Sequence, residues 1–198
     1  MSKKLRQGTN IYIAPEIIGW LDENYNPVVE DERTGKKLDP RNIDDKIFIY
    51  ERQVKDWFLK PATKYAKGKN NGFIVLMICM SYLEGVEQYR RGESSNNKSR
   101  VFFTHAINRI YPNKFHSNDL NELYKEARCG LFHSGMVKWK IIVSYSFLES
   151  LNFEDSTTIN VNPKRFLEDI KADFNDFINK LKTDEESRNR FDRMYSNI

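Results

Sequence analysis

The chain has 198 residues, 39% of them hydrophobic and 13% aromatic, enough apolar material for one generous domain with a packed core. Its net charge of +4 permits a polyanionic partner, but the 30% of charged residues mix both signs and mostly belong to solvated surface. Two cysteines, Cys79 and Cys129, and three histidines exclude a disulfide framework and the usual zinc spacings. The polar start Met1-Ser2-Lys3-Lys4 shows no secretory signal. The longest apolar run, Phe73 to Leu83, falls far short of the roughly 20 residues a membrane span needs. These features predict a cytoplasmic protein with no membrane contact, no metal and no cofactor.

In chain order, Ile11, Ile13, Ile17, Ile18 and Trp20 keep no settled period. Residues 21–42 are polar, with breakers at Asn26-Pro27, Thr34-Gly35 and Asp39-Pro40 and room for a hairpin between Val28-Val29 and Lys37-Leu38. Residues 1–43 therefore read as an irregular N-terminal arm. From Asp44, apolar residues at Ile47, Tyr50, Val54, Trp57 and Phe58 follow the helical period until Pro61 ends or kinks the helix. Lys60, Lys64, Lys67 and Lys69 surround Tyr65, a basic segment with an aromatic in it that fits a nucleic-acid backbone or, equally, a solvated helix end. The run 73–83 is apolar nearly all round and predicts a helix buried on several sides, with Glu84 at its end in need of a partner. A basic, polar loop follows at 90–100 and carries Lys98 and Arg100. Phe103, Ala106, Ile107 and Ile110 mark a further short helix before Pro112.

The next helix, opening at Ser117-Asn118-Asp119 and stopping at Gly135, holds the most informative stretch, Arg128-Cys129-Gly130-Leu131-Phe132-His133. Arginine grips phosphate in a planar fork, and histidine moves protons near neutral pH. On an ideal α-helix the two lie about 140° apart, so one face does not hold both. Either the helix loosens near Gly130 or Gly135, or the arginine bends, or two copies of the chain complete the pair. Taken locally, a surface arginine and a capping histidine explain the pattern as well. Beyond it, Ile141, Val143, Tyr145 and Phe147 alternate as a strand, with a partner at 158–161. Asn162-Pro163 opens a long helix with an apolar face from Phe166 to Leu181. Residues 183–198 form a charged tail with a short helix spaced by Phe191, Met194 and Tyr195.

Several pieces together resemble the HEPN family: Trp57-Phe58-Leu59-Lys60-Pro61-Ala62, Tyr82-Leu83-Glu84, Ser99-Arg100-Val101-Phe102-Phe103, the Arg128-x4-His133 run, and Ile159-x-Val161-Asn162-Pro163. The resemblance covers roughly residues 44–182 and is nearer a bacterial branch of unassigned role than the well-studied toxins. It implies an all-α helical bundle, here with a small β-hairpin inserted after the motif helix. It also implies a homodimer with facing motifs, and metal-independent RNA cleavage in toxin–antitoxin or antiviral-defence systems, with an antitoxin or defence protein as further partner. Other members only bind or scaffold. Active members usually carry a polar residue after the motif arginine, where this chain has Cys129.

The leading reading is an endoribonuclease. His133 acts as general base or acid, Arg128 holds the scissile phosphate, Glu84 orients one of them, and Lys64, Lys67, Lys98 and Arg100 bind the RNA backbone. The alternative is an inactive module that binds RNA, a nucleotide or a partner protein. A third reading makes Cys129 a nucleophile with His133 as its base.

Overall fold

Four short strands precede the first helix in the computed structural model, which describes residues 5–155 and 157–195. Strands β1 (Ile11–Ala14), β2 (Ile17–Leu21), β3 (Pro27–Asp31) and β4 (Lys36–Leu38) form an antiparallel sheet in the order β1-β2-β3-β4. The expected hairpin is its β3–β4 edge, where Val29 faces Leu38. The first two strands are a correction to the irregular arm. Their period is hidden by a register shift between Tyr12 and Ala14. Their turns pass through Glu16 and Tyr25, which take positive φ without being glycine. Asp22 closes the β2–β3 turn by accepting backbone N–H bonds from Asn24 and Asn26, each at 2.8 Å.

Helix α1 (Ile43–Val54) starts at Asn42, whose side chain accepts from the backbone of Asp44 and Asp45. It holds the sheet in place. Gln53 donates to the Ile13 carbonyl at 2.7 Å, and Arg52 reaches the buried carboxylate of Asp31 at 3.3 Å. Pro61 neither ends nor sharply breaks the path. A π turn over Lys55–Leu59 precedes α2 (Lys60–Tyr65), and Lys60 N–H bonds to the Lys55 carbonyl. Proline has no N–H to give, and the wider turn absorbs the missing bond.

The long helix α3 (Gly72–Arg91) is the centre of the molecule, packed by α4 (Ser99–Ile110), α6 (Pro163–Thr183) and α7 (Glu185–Met194). Val75, Leu76, Cys79, Met80 and Leu83 are fully buried along it. Phe73, Ile74 and Met77 remain 40%, 47% and 37% exposed, so α3 is covered on most sides but leaves one apolar strip open. Tyr111 ends α4 outside the helical region, with φ of −126° and ψ of 71°, in keeping with the bias of a residue before proline. Asn162 caps α6 through the N–H groups of Lys164 and Arg165, as Asn-Pro predicts. The charged tail contains α7, whose Phe191 is wholly buried.

After the motif, the predicted hairpin is replaced by a three-stranded mixed sheet. Strands β5 (Ile141–Val143), β6 (Leu151–Phe153) and β7 (Ile159–Val161) lie in the order β5-β7-β6. β5 pairs with β7 in parallel, and the residues between the two expected strands supply the antiparallel neighbour β6. The alternation at 144–147 does not continue the strand, because the carbonyls of Tyr145 and Phe147 accept from the Asn162 side chain at 3.0 and 2.7 Å. The fold is thus mixed α and β, 55% helical and 15% strand, and not the all-α bundle with a small hairpin insertion that the sequence predicts. No helix of the described residues is long and apolar enough to cross a membrane.

Candidate active site

Arg128 and Glu84 meet across two helices. Arg128 Nη2 lies 2.8 Å from Glu84 Oε2, with both side chains mostly buried. The other oxygen, Glu84 Oε1, accepts the Ser95 hydroxyl at 2.8 Å, and Ser99 bonds to the same carboxylate. Partial burial would raise the Glu84 carboxyl. The hydrogen bonds from Ser99 and Ser95 and the charge of Arg128 outweigh it, and the group is held below its ordinary range. Glu84 is therefore a fixed anion, and its fixed partner is Arg128 rather than His133.

The helix carrying Arg128 is not an ordinary α-helix. α5 (Ser117–Leu123) opens one residue earlier than the sequence suggests, at His116, whose N–H donates to Asp119 at 3.2 Å. The chain then winds as π turns over Tyr124–Arg128 and Gly130–Ser134, joined at Cys129, and stops at Gly135 with φ of 70°. The N–H of Cys129 reaches back five residues to the Tyr124 carbonyl. An i→i+5 ladder places residue i+5 close above residue i. This winding narrows the angle of about 140° that an α-helix would put between Arg128 and His133. The helix does loosen around Gly130, the first of the routes the sequence leaves open.

Tyr124 and Phe132 flank the arginine. The guanidinium carbon lies 5.7 Å from the Tyr124 ring centroid and 5.1 Å from that of Phe132, at contact range for a cation over an aromatic face. With Glu84 on Nη2, the group is gripped from three sides, and its other N–H groups remain as donors. His133 is exposed at the far end of the second π turn. Cys129 is half-buried beside Tyr124, whose hydroxyl is pushed above its ordinary value first by burial and then by the neighbouring thiol.

The predicted backbone-binding residues divide into two groups. Lys98 and Arg100 are exposed on either side of Ser99, which bonds Glu84, so the basic loop is brought to the site. Lys64 and Lys67 are exposed at the other end of α3, beside its start at Gly72. Twelve residues of helix, about 18 Å, separate that start from Glu84. No contact among the described residues joins these two lysines to Arg128. Ser95, Ser99, Tyr124 and Phe132 are the positions that sequence reasoning missed. The two aromatics stand four residues before and after Arg128, a spacing that marks them as its neighbours on a helix. Ser95 sits in an irregular loop and Ser99 is the first residue of α4, and neither gives such a signal. Comparison with known protein families, curated proteins and solved structures finds no match.

Proposed function

We propose that this protein is a metal-independent endoribonuclease of HEPN type, in which Arg128 and His133 act on the phosphodiester of single-stranded RNA. The observation that carries this is the fixed Glu84–Arg128 pair on a helix that winds as π turns through both Arg128 and His133. A lone arginine on a surface needs no buried carboxylate, two serines and two rings to hold it. The preorganised guanidinium meets a phosphate without paying again for orientation.

In the reaction, the substrate's own 2′-hydroxyl attacks phosphorus. The new O–P bond closes a 2′,3′-cyclic phosphate as the bond to the 5′-oxygen breaks. His133 takes the hydroxyl proton or delivers one to the leaving oxygen, and Arg128 offsets the charge gathering on the phosphoryl oxygens. One chain supplies one such histidine. A homodimer supplies the complementary one. A role in toxin–antitoxin or defence systems, with a partner protein restraining the activity, belongs to the same reading.

The test uses purified chain and single-stranded RNA in excess EDTA. The wild type is expected to leave 2′,3′-cyclic phosphate ends, and His133→Ala and Arg128→Ala each to lose at least about a hundredfold in rate with unchanged circular dichroism. Cleavage undiminished in His133→Ala would end the proposal. The second reading, a module that binds RNA without cutting it, is favoured by one observation: Cys129 is engaged with Tyr124 and offers no strong polar group beside the phosphate position. Tight RNA binding with no cutting by the wild type is the outcome that selects it.

A further inference from the structure

Trp139 is 75% exposed, and few places cost a protein more apolar surface than an indole left in water. It is not loosely held. The residue before it is pinned to the motif helix, with Lys138 N–H donating to the Glu126 carbonyl at 2.9 Å. The residue after it is pinned to the second sheet, where the Lys140 carbonyl accepts from Ile159 N–H at 2.8 Å. The turn also presses on the motif itself: a methyl group added at Gly130 would lie 2.7 Å from the Met136 carbonyl oxygen. A large, flat, exposed ring is thus carried on a short fixed turn that begins where the Arg128–His133 helix ends.

The charge around the ring says what it is for. Trp139 stands between Lys138 and Lys140. Lys138 is exposed, and Lys140 Nζ lies 5.7 Å from the indole centroid while it bonds Glu122 at 2.7 Å. An apolar protein partner has no use for the exposed ammonium group of Lys138 beside the ring. A strand of unpaired nucleotides uses both features, the ring for a base and the lysine for a phosphate.

We infer that Trp139 is a stacking platform for an unpaired nucleobase next to the scissile phosphate, with Lys138 as the phosphate contact. This deepens the RNA-cleaving proposal and rests on it for the identity of the strand. It also makes the substrate class single-stranded, because a paired base is not free to leave its stack.

The experiment measures binding to the full chain of a labelled 2′-O-methyl oligouridylate, which lacks the attacking hydroxyl, and of its abasic counterpart. Trp139→Ala is expected to weaken the first about tenfold and leave the second unchanged, and Trp139→Phe to restore most of the loss. The salt dependence should stay the same in Trp139→Ala and fall by about one charge in Lys138→Ala. Equal affinity of Trp139→Ala and wild type for the oligouridylate, or equal losses on both strands, would overturn the platform. So would a change from dimer to monomer in Trp139→Ala with strand affinity intact, which would make the ring a contact between copies. If wild type binds with this Trp139 dependence but never cuts RNA, the platform stands and the nuclease proposal falls.

Discussion

Glu84 shows how much a single carboxylate settles. Its position after an apolar helix announces that it needs a partner, and Arg128 is named by the spacing of the motif. Both are therefore legible in the sequence. The serines that complete the shell are not, because Ser95 lies between α3 and α4 and Ser99 opens α4, so their approach depends on where the two helices lie. A pH prediction belongs here. The folded protein holds Glu84 below its ordinary range, so the unfolded chain takes up this proton first as pH falls. The stabilisation is complete above the unfolded value of about 4.3 and is lost as pH drops through the lower folded value. Glu84→Gln should cost about 1–3 kcal/mol at neutral pH, the range of a hydrogen bond to a charged group. Urea melts taken from pH 7 down to pH 3 should show the two proteins converging. A gap that stays constant with pH would mean that Glu84 does not act through its charge.

At the level of elements, helices with long periods are the part that sequence reveals best. The cap at Asn162 and the stop at Gly135 fall where their chemistry puts them. Two kinds of element escape. The N-terminal strands hide because a bulge breaks their alternation and their turns use Glu16 and Tyr25 in place of glycine. The π turns hide because nothing in a composition reports an extra residue per turn. The parallel pairing of β5 and β7 is likewise invisible, since alternation fixes which face is inward but not the direction of the neighbour. One residue tests the π segment. A methyl at Gly130 would meet the Met136 carbonyl at 2.7 Å and Lys138 N at 3.1 Å, both of them backbone. Gly130→Ala is expected to destabilise by about 1–3 kcal/mol, the cost of overpacking, and to loosen the 136–140 turn. Faster amide exchange at Lys138 is the specific sign; unchanged exchange with unchanged stability would show that the turn gives way freely.

Across the whole molecule, the expectation of a bundle around α3 holds for its packing partners and fails for the fold class, because two sheets flank the helices. The last described helix is part of the core and not an appendage. Phe191 and Tyr195 are buried among Tyr50 and Tyr89, and Lys46 and Asp44 of α1 pair with Asp192 and Arg188 of α7, each at 2.7 Å. Phe191→Ala should cost about 3–5 kcal/mol, read as a lowered denaturant midpoint; a loss under 1 kcal/mol would mean that α7 packs more weakly than its burial indicates. This closure by α7 also sets a clock. During synthesis the chain makes Glu84 and Arg128 well before the helix that covers α3, and until Phe191 has left the ribosome one side of that core faces water. Glu84, carried on α3, has that side of its helix closed only after α7 has been made.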